Sequence, residues 1–152
     1  MRIYLDMDNT LADFSLTLPE PIALEKMYEV GYFRNLRPIT GGHALSVALQ
    51  ALGHEVYILS ACIRNSHCQE EKRQWLQVHF PNISAQNWVF TPVGEPKANY
   101  VNAAGALLVD DYGRNIREWQ AAGGETIKFK AGESSEREYA RVLETVKENW
   151  GV

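Results

Sequence analysis

The sequence predicts an α/β fold: a three-layer α/β/α sandwich built on a central parallel, Rossmann-like sheet, with a small helical insertion near the N-terminus. Three observations predict it. Short apolar runs of strand composition recur along the chain, helical stretches lie between them, and each run ends in a polar residue.

The strand-like runs are Ile3-Tyr4-Leu5, Val56-Tyr57-Ile58-Leu59 and Ala106-Leu107-Leu108-Val109. Each is nearly continuous rather than alternating, as in strands covered on both faces. Helices are expected over Gly41 to Leu52, stopped by Gly53, over Gln69 to Phe80, stopped by Pro81, and over Lys97 to Ala104, stopped by Gly105. Beyond the third run, Asn115 to Ala122 reads as a helix, Thr126 to Lys130 as a strand, and Glu136 to Trp150 as a closing helix capped by Ser134 or Ser135. A short helical segment, Pro21 to Val30, fits within residues 14–38, which read as a small cap insertion in a single domain of residues 1–152. Trp88, Trp119 and Trp150 read as core or interface anchors.

The chain's 152 residues, 45% of them hydrophobic, suffice for a sizeable core without disulfides or structural metals. Fifteen basic against 19 acidic residues give a net charge of −4 with no long run of one sign, which argues against a polynucleotide partner. A small phosphorylated substrate remains compatible, because one basic pocket can overcome a weakly negative surface. Cys62 and Cys68 lack a zinc-binding pattern and read as free thiols of a reducing compartment. No signal-like or spanning apolar run appears, so a cytoplasmic protein with no membrane partner is expected.

The chemistry sits where the runs end: Asp6, Ser60 and Asp110-Asp111. In an open parallel sheet the carboxyl ends of the strands share one edge, so these distant residues should converge. Asp6 and Asp111, with the Asp8 main-chain carbonyl, would give a magnesium ion three hard oxygens, water and substrate completing the octahedron. Zinc is disfavoured because no His or Cys occupies these positions. Asp6 is then the candidate nucleophile toward a phosphate monoester, and Asp8 the acid and base that serves the leaving oxygen and the incoming water.

Asp6-Met7-Asp8-Asn9-Thr10 resembles the first motif of the haloacid dehalogenase superfamily in its phosphatase form. The remaining motifs follow in order as Ser60, Lys97 and Asp110-Asp111. The resemblance implies that Ser60 hydrogen-bonds the phosphate, Lys97 bridges nucleophile and phosphate, Asp111 holds the metal, and Asp110 acts from an outer shell. Asn9 and Ala61, beside these motif residues, are expected to join the phosphate site.

Four stretches resemble the 5'(3')-deoxyribonucleotidases: Asp6 to Phe14, Gly31 to Pro38, His67 to Trp75, and Leu107 to Asp111. That family has Gly and Val where this chain has Asn9 and Thr10. The likeness implies a nucleoside monophosphate substrate, with Phe14 and Phe33 stacking on the base and Arg34, Arg37 and Arg64 attracting the phosphate. His67 and His79 read as packing or surface residues. The insertion is shorter than those enzymes' helical cap. Three options stay open on that account: a broader nucleotidase, a lid borrowed from a neighbouring subunit of a homo-oligomer, and a phosphatase of another small metabolite. A catalytically inactive phosphate- or nucleotide-binding protein of the same fold is the alternative from outside enzymes.

Overall fold

A computed structural model describes residues 1–65 and 67–151. Its frame is one five-stranded sheet, ordered β5-β4-β1-β6-β7 and parallel throughout. The strands are β1 (Arg2–Leu5), β4 (Glu55–Cys62), β5 (Trp88–Pro92), β6 (Leu107–Asp110) and β7 (Glu125–Lys128). The first apolar run is central, with Tyr4 in register with Tyr57 on one side and Leu108 on the other.

Period-two alternation separates the two faces. Ile3, Leu5, Val56, Ile58, Leu107 and Val109 join a large core with residues of α2 (Gly42–Ala51), α3 (Cys68–His79) and α5 (Ser135–Trp150). Tyr4, Leu59 and Leu108 face the opposite way, onto Ala103, Ala106 and Trp119, the last from α4 (Gly113–Ala121). Helices therefore cover both faces, and the expected three-layer sandwich is the observed one. Ser134 caps α5, its side chain accepting from the Arg137 amide.

Two expectations need correction. The helix read over Lys97 to Ala104 is a single 3-10 turn, Lys97–Asn99. Asn99, Tyr100, Val101 and Asn102 are all poor helix formers, and the Asn102 side chain takes the Ala104 amide for itself. Trp88 packs against the large core, as an anchor would, and also opens the edge strand β5. Residues 14–38 hold α1 (Glu20–Lys26), shorter than Pro21 to Val30. A two-residue antiparallel ribbon joins the ends of that segment, β2 (Ala12–Asp13) pairing with β3 (Arg37–Pro38). No helix among the described residues is long and apolar enough to cross a membrane.

Candidate active site

Asp6 leaves the end of β1 with its amide still donating to Val109 O at 2.9 Å, which fixes it at the carboxyl edge of the sheet. The chain then turns tightly over the buried Met7, whose carbonyl accepts from Thr10, Leu11 and Ala12. Asn9 sits at φ 61°, a left-handed conformation that Asn tolerates better than most residues. Its side chain gathers the following loop, Oδ1 accepting from the Phe14 and Ser15 amides and Nδ2 donating to Ser15 Oγ. From α5, the Tyr139 hydroxyl donates to Thr10 O at 2.6 Å and ties the far end of the chain to this turn.

Two buried lysines enter the acidic centre from opposite sides. Lys97 Nζ donates to Asp6 Oδ1 and Asp110 Oδ2, both at 2.8 Å, and to Leu59 O at 3.0 Å. Burial pulls its pKa down, but the two carboxylates outweigh that and hold it above the usual lysine value. Lys72 Nζ donates to Asp8 Oδ2 at 2.9 Å, Ser60 Oγ at 2.8 Å and Ala61 O at 2.7 Å. Burial opposes its charge as well, and Asp8, together with the nearby Cys62 and Cys68, more than restores it.

Oxygens of Asp6, Asp110 and Asp111 lie within 4.8 Å of one another. The Thr10 hydroxyl spans two of them, lying 3.1 Å from Asp6 Oδ2 and 3.3 Å from Asp111 Oδ1. Asp110 is saturated, with Lys97 and Asn115 on Oδ2 and the Tyr112 amide on Oδ1. Burial and repulsion from Asp6 push its pKa up to about 6, against the pull of Lys97. Among the described residues no lysine pairs with Asp111, and burial followed by the Asp6 charge pushes it up to about 9. Two ammonium groups thus face four carboxyl groups, and without a cation the shortfall of positive charge is met by the proton that Asp111 retains. The donor set is all carboxylate oxygen, which suits a hard divalent cation.

The structure brings Asp6, Asp8, Ser60, Ala61, Lys97, Asp110 and Asp111 to one edge. Asn9 is there too, but its amide donates to Ala12 O at 2.7 Å and its side chain is spent on the loop, so the expected phosphate contact is replaced by a loop-building one. Phe33 also departs from expectation. It is 2% exposed, stacked on Phe14 at 6.1 Å with Lys72 Nζ 4.9 Å from its ring, so it supports the lysine and offers no open face for a base. Phe14 lines a cavity of about 390 Å³ with Tyr32 and Arg37. Arg34 is exposed, and Arg64 lines a separate cavity of about 240 Å³ with Cys62, Asn65 and Thr91. His79 packs on Trp75, its pKa lowered by burial, and His67 sits at the start of α3.

Sequence reasoning missed Lys72, which lies in the charged run Glu70-Glu71-Lys72-Arg73. A signal was present: Cys68, Lys72, Trp75, Leu76 and His79 follow helical spacing, placing the lysine on the helix's apolar stripe. Asn115 was likewise overlooked, and Thr10, quoted as the end of the first motif, was given no role.

The architecture and this acidic edge define the class, a haloacid dehalogenase-like protein. A hydrolase of that kind from Deinococcus radiodurans, with bound phosphate and sodium, superposes with a TM-score of 0.63 at 13% identity, covering 97% of this chain and 95% of that one. An enzyme of the same class from Bacteroides thetaiotaomicron, in complex with magnesium and inorganic phosphate, gives 0.53 at 14% identity over 87% and 95%. Within the class, residues 20–143 match the model of the family "5' nucleotidase, deoxy (Pyrimidine), cytosolic type C protein", and the chain belongs to that family. A provisionally named 5'(3')-deoxyribonucleotidase of Staphylococcus epidermidis is 29% identical over 125 residues, 81% of this chain. The match spans 64% of that relative's length.

Proposed function

We propose that the chain is a magnesium-dependent phosphomonoester hydrolase that releases phosphate from nucleoside monophosphates through an aspartyl-phosphate on Asp6. One observation carries this reading: Asp6 stands between a buried lysine and an acidic cluster that, without a cation, can only be relieved by holding on to protons. That is the setting in which a carboxylate can meet a phosphoryl group once a cation is present. Asp6, Asp111 and the Asp8 carbonyl would hold magnesium, while Asp110 keeps Lys97 in place. When bound, the ion supplies positive charge to the phosphoryl oxygens.

The chain's own groups do the rest. Lys97, Lys72 and Ser60 receive the phosphoryl oxygens at the sheet edge. An Asp6 oxygen attacks phosphorus in line, the phosphorus–oxygen ester bond breaks, and Asp8 gives its proton to the departing alcohol. Water then attacks the same phosphorus, Asp8 takes the proton, and Asp6 and inorganic phosphate are regenerated. Lys72 holds Asp8 Oδ2, while Asp8 Oδ1 is buried without a hydrogen-bond partner among the described residues and is the oxygen free to carry the proton. Segment 14–38 would serve as the cap, with the cavity beside Phe14 on the leaving-group side.

A panel of phosphomonoesters tests the substrate class. Deoxyribonucleoside monophosphates are expected to exceed sugar phosphates in kcat/KM, and equal values would remove the nucleotide assignment in favour of another small metabolite.

Metal dependence has a thermal signature. Without a cation, folded Asp111 keeps a proton up to about pH 9, whereas an unfolded Asp gives it up near pH ~3.9. The folded state therefore binds more protons across this window, and metal-free stability should fall as pH rises through it. Magnesium binds the deprotonated cluster, so the Tm gain from added magnesium should grow between about pH 6 and about pH 8.5. A pH-independent gain in parallel melts would contradict Asp111 as a ligand.

A further inference from the structure

Glu71 takes no part in the chemistry above, yet its carboxylate is almost completely buried, at 3% exposure. Among the described residues no ion pair includes it. A buried carboxylate is costly without compensating donors. Both of its donors are backbone amides of one short turn: Gly31 N reaches Oε2 at 2.8 Å and Arg34 N reaches Oε1 at 3.3 Å. Gly31 permits that turn because it sits at φ +92°, and a Cβ there would meet Arg34 and Asn35 side-chain nitrogens at 3.2 Å.

One helical turn beyond Glu71, the Trp75 indole N–H donates to Leu36 O at 2.8 Å. Helix α3 thus grips residues 31–36 at two points. Phe33 lies between them, stacked with Phe14, and the Tyr32 hydroxyl donates to Phe14 O at 2.6 Å. The neighbouring residue on α3 is Lys72, which points into the acidic centre. The seven-residue α1 is too short to be stable on its own, so the place of segment 14–38 depends on such ties.

We propose that Glu71 is a positioning residue for leaving-group selection: by holding the Gly31 and Arg34 amides it fixes the Phe14–Tyr32–Phe33 cluster beside the phosphate site. What it selects rests on the nucleotidase reading. Lys72 is held on its own account by Asp8, Ser60 and Ala61 O, and the other phosphoryl-transfer groups sit on the sheet edge, so loss of Glu71 should change recognition of the alcohol far more than the chemical step.

Glu71→Ala is expected to raise KM for deoxyribonucleoside monophosphates by about tenfold or more, the loss of hydrogen bonds to a charged group, with kcat little changed. Kinetics on glycerol phosphate should stay as in the parent protein. Glu71→Gln keeps an acceptor for Gly31 but turns a donor toward Arg34, so it should recover part of the loss, and it carries the test if the Ala variant fails to fold. Amide exchange separates this proposal from the nucleotidase reading: Gly31 and Arg34 should exchange faster in the Ala variant than in the parent protein whatever the substrate is. Unchanged exchange at both amides, or an equal loss of activity on nucleotides and glycerol phosphate, would overturn the role. Faster exchange with no nucleotide preference in the parent protein would uphold the latch and remove the nucleotide reading.

Discussion

Asp6→Asn is expected to lower kcat by at least about a thousandfold, because the amide is a poor nucleophile and the groups around it act as a unit. The protein should remain folded. Asn keeps a carbonyl oxygen for Lys97 at the Oδ1 position, its amide nitrogen can donate to the Thr10 hydroxyl at the Oδ2 position, and loss of the charge relieves repulsion on Asp110 and Asp111, which Asp6 helps to push upward. Activity and stability should therefore part company at this position. A steady-state assay paired with a thermal melt reads both, and a folded variant with full activity would remove Asp6 as nucleophile.

Lys97→Met should behave in the opposite way, damaging both properties. Its ammonium is the shared donor of two buried carboxylates and also meets Leu59 O. Methionine fills similar space but leaves Asp110 with Asn115 and a backbone amide as its only donors among the described residues. Breaking a buried pair from one side costs about 3–5 kcal/mol, as the remaining charge is then uncompensated. For a chain of this size that corresponds to a Tm loss of roughly 10 °C. Catalysis should fall by about a hundredfold or more, since a fixed positive charge at the transferring group is lost as well. A urea melt and kinetics on the same preparation check the two effects, and a variant of unchanged stability would contradict the shared ion pair.

The central strands were legible in the sequence because β1, β4 and β6 are covered on both faces, so their apolar residues run without interruption. β5 was not, because an edge strand is only half covered and Trp88-Val89-Phe90-Thr91-Pro92 ends in a residue that usually argues against sheet. The four acidic positions and Lys97 could be read from motif order, which follows the order of strand ends along the chain. Lys72 could not be read that way. Its partners Asp8 and Ser60 lie 64 and 12 residues away, and its charged neighbours disguise a buried position. Phe33 was misread for the converse reason. An aromatic residue near a substrate motif resembles a ligand contact, but only the packed structure shows that Phe14 and Lys72 already occupy its surroundings. Asn9 shows the limit of resemblance: a positive φ is set by the turn, and the turn consumes the polar groups expected to bind phosphate.

The measurement that most directly tests the central claim is chemical trapping of the intermediate. Turnover of a phosphomonoester with magnesium is quenched within milliseconds, the acyl-phosphate is reduced with borohydride, and the N-terminal peptide is sequenced by mass spectrometry. The expected result is homoserine at position 6 and unmodified aspartate at position 8, only when substrate and magnesium are both present. Rapid phosphate release with Asp6 unmodified, or with the modification at another carboxylate, would contradict an aspartyl-phosphate on Asp6.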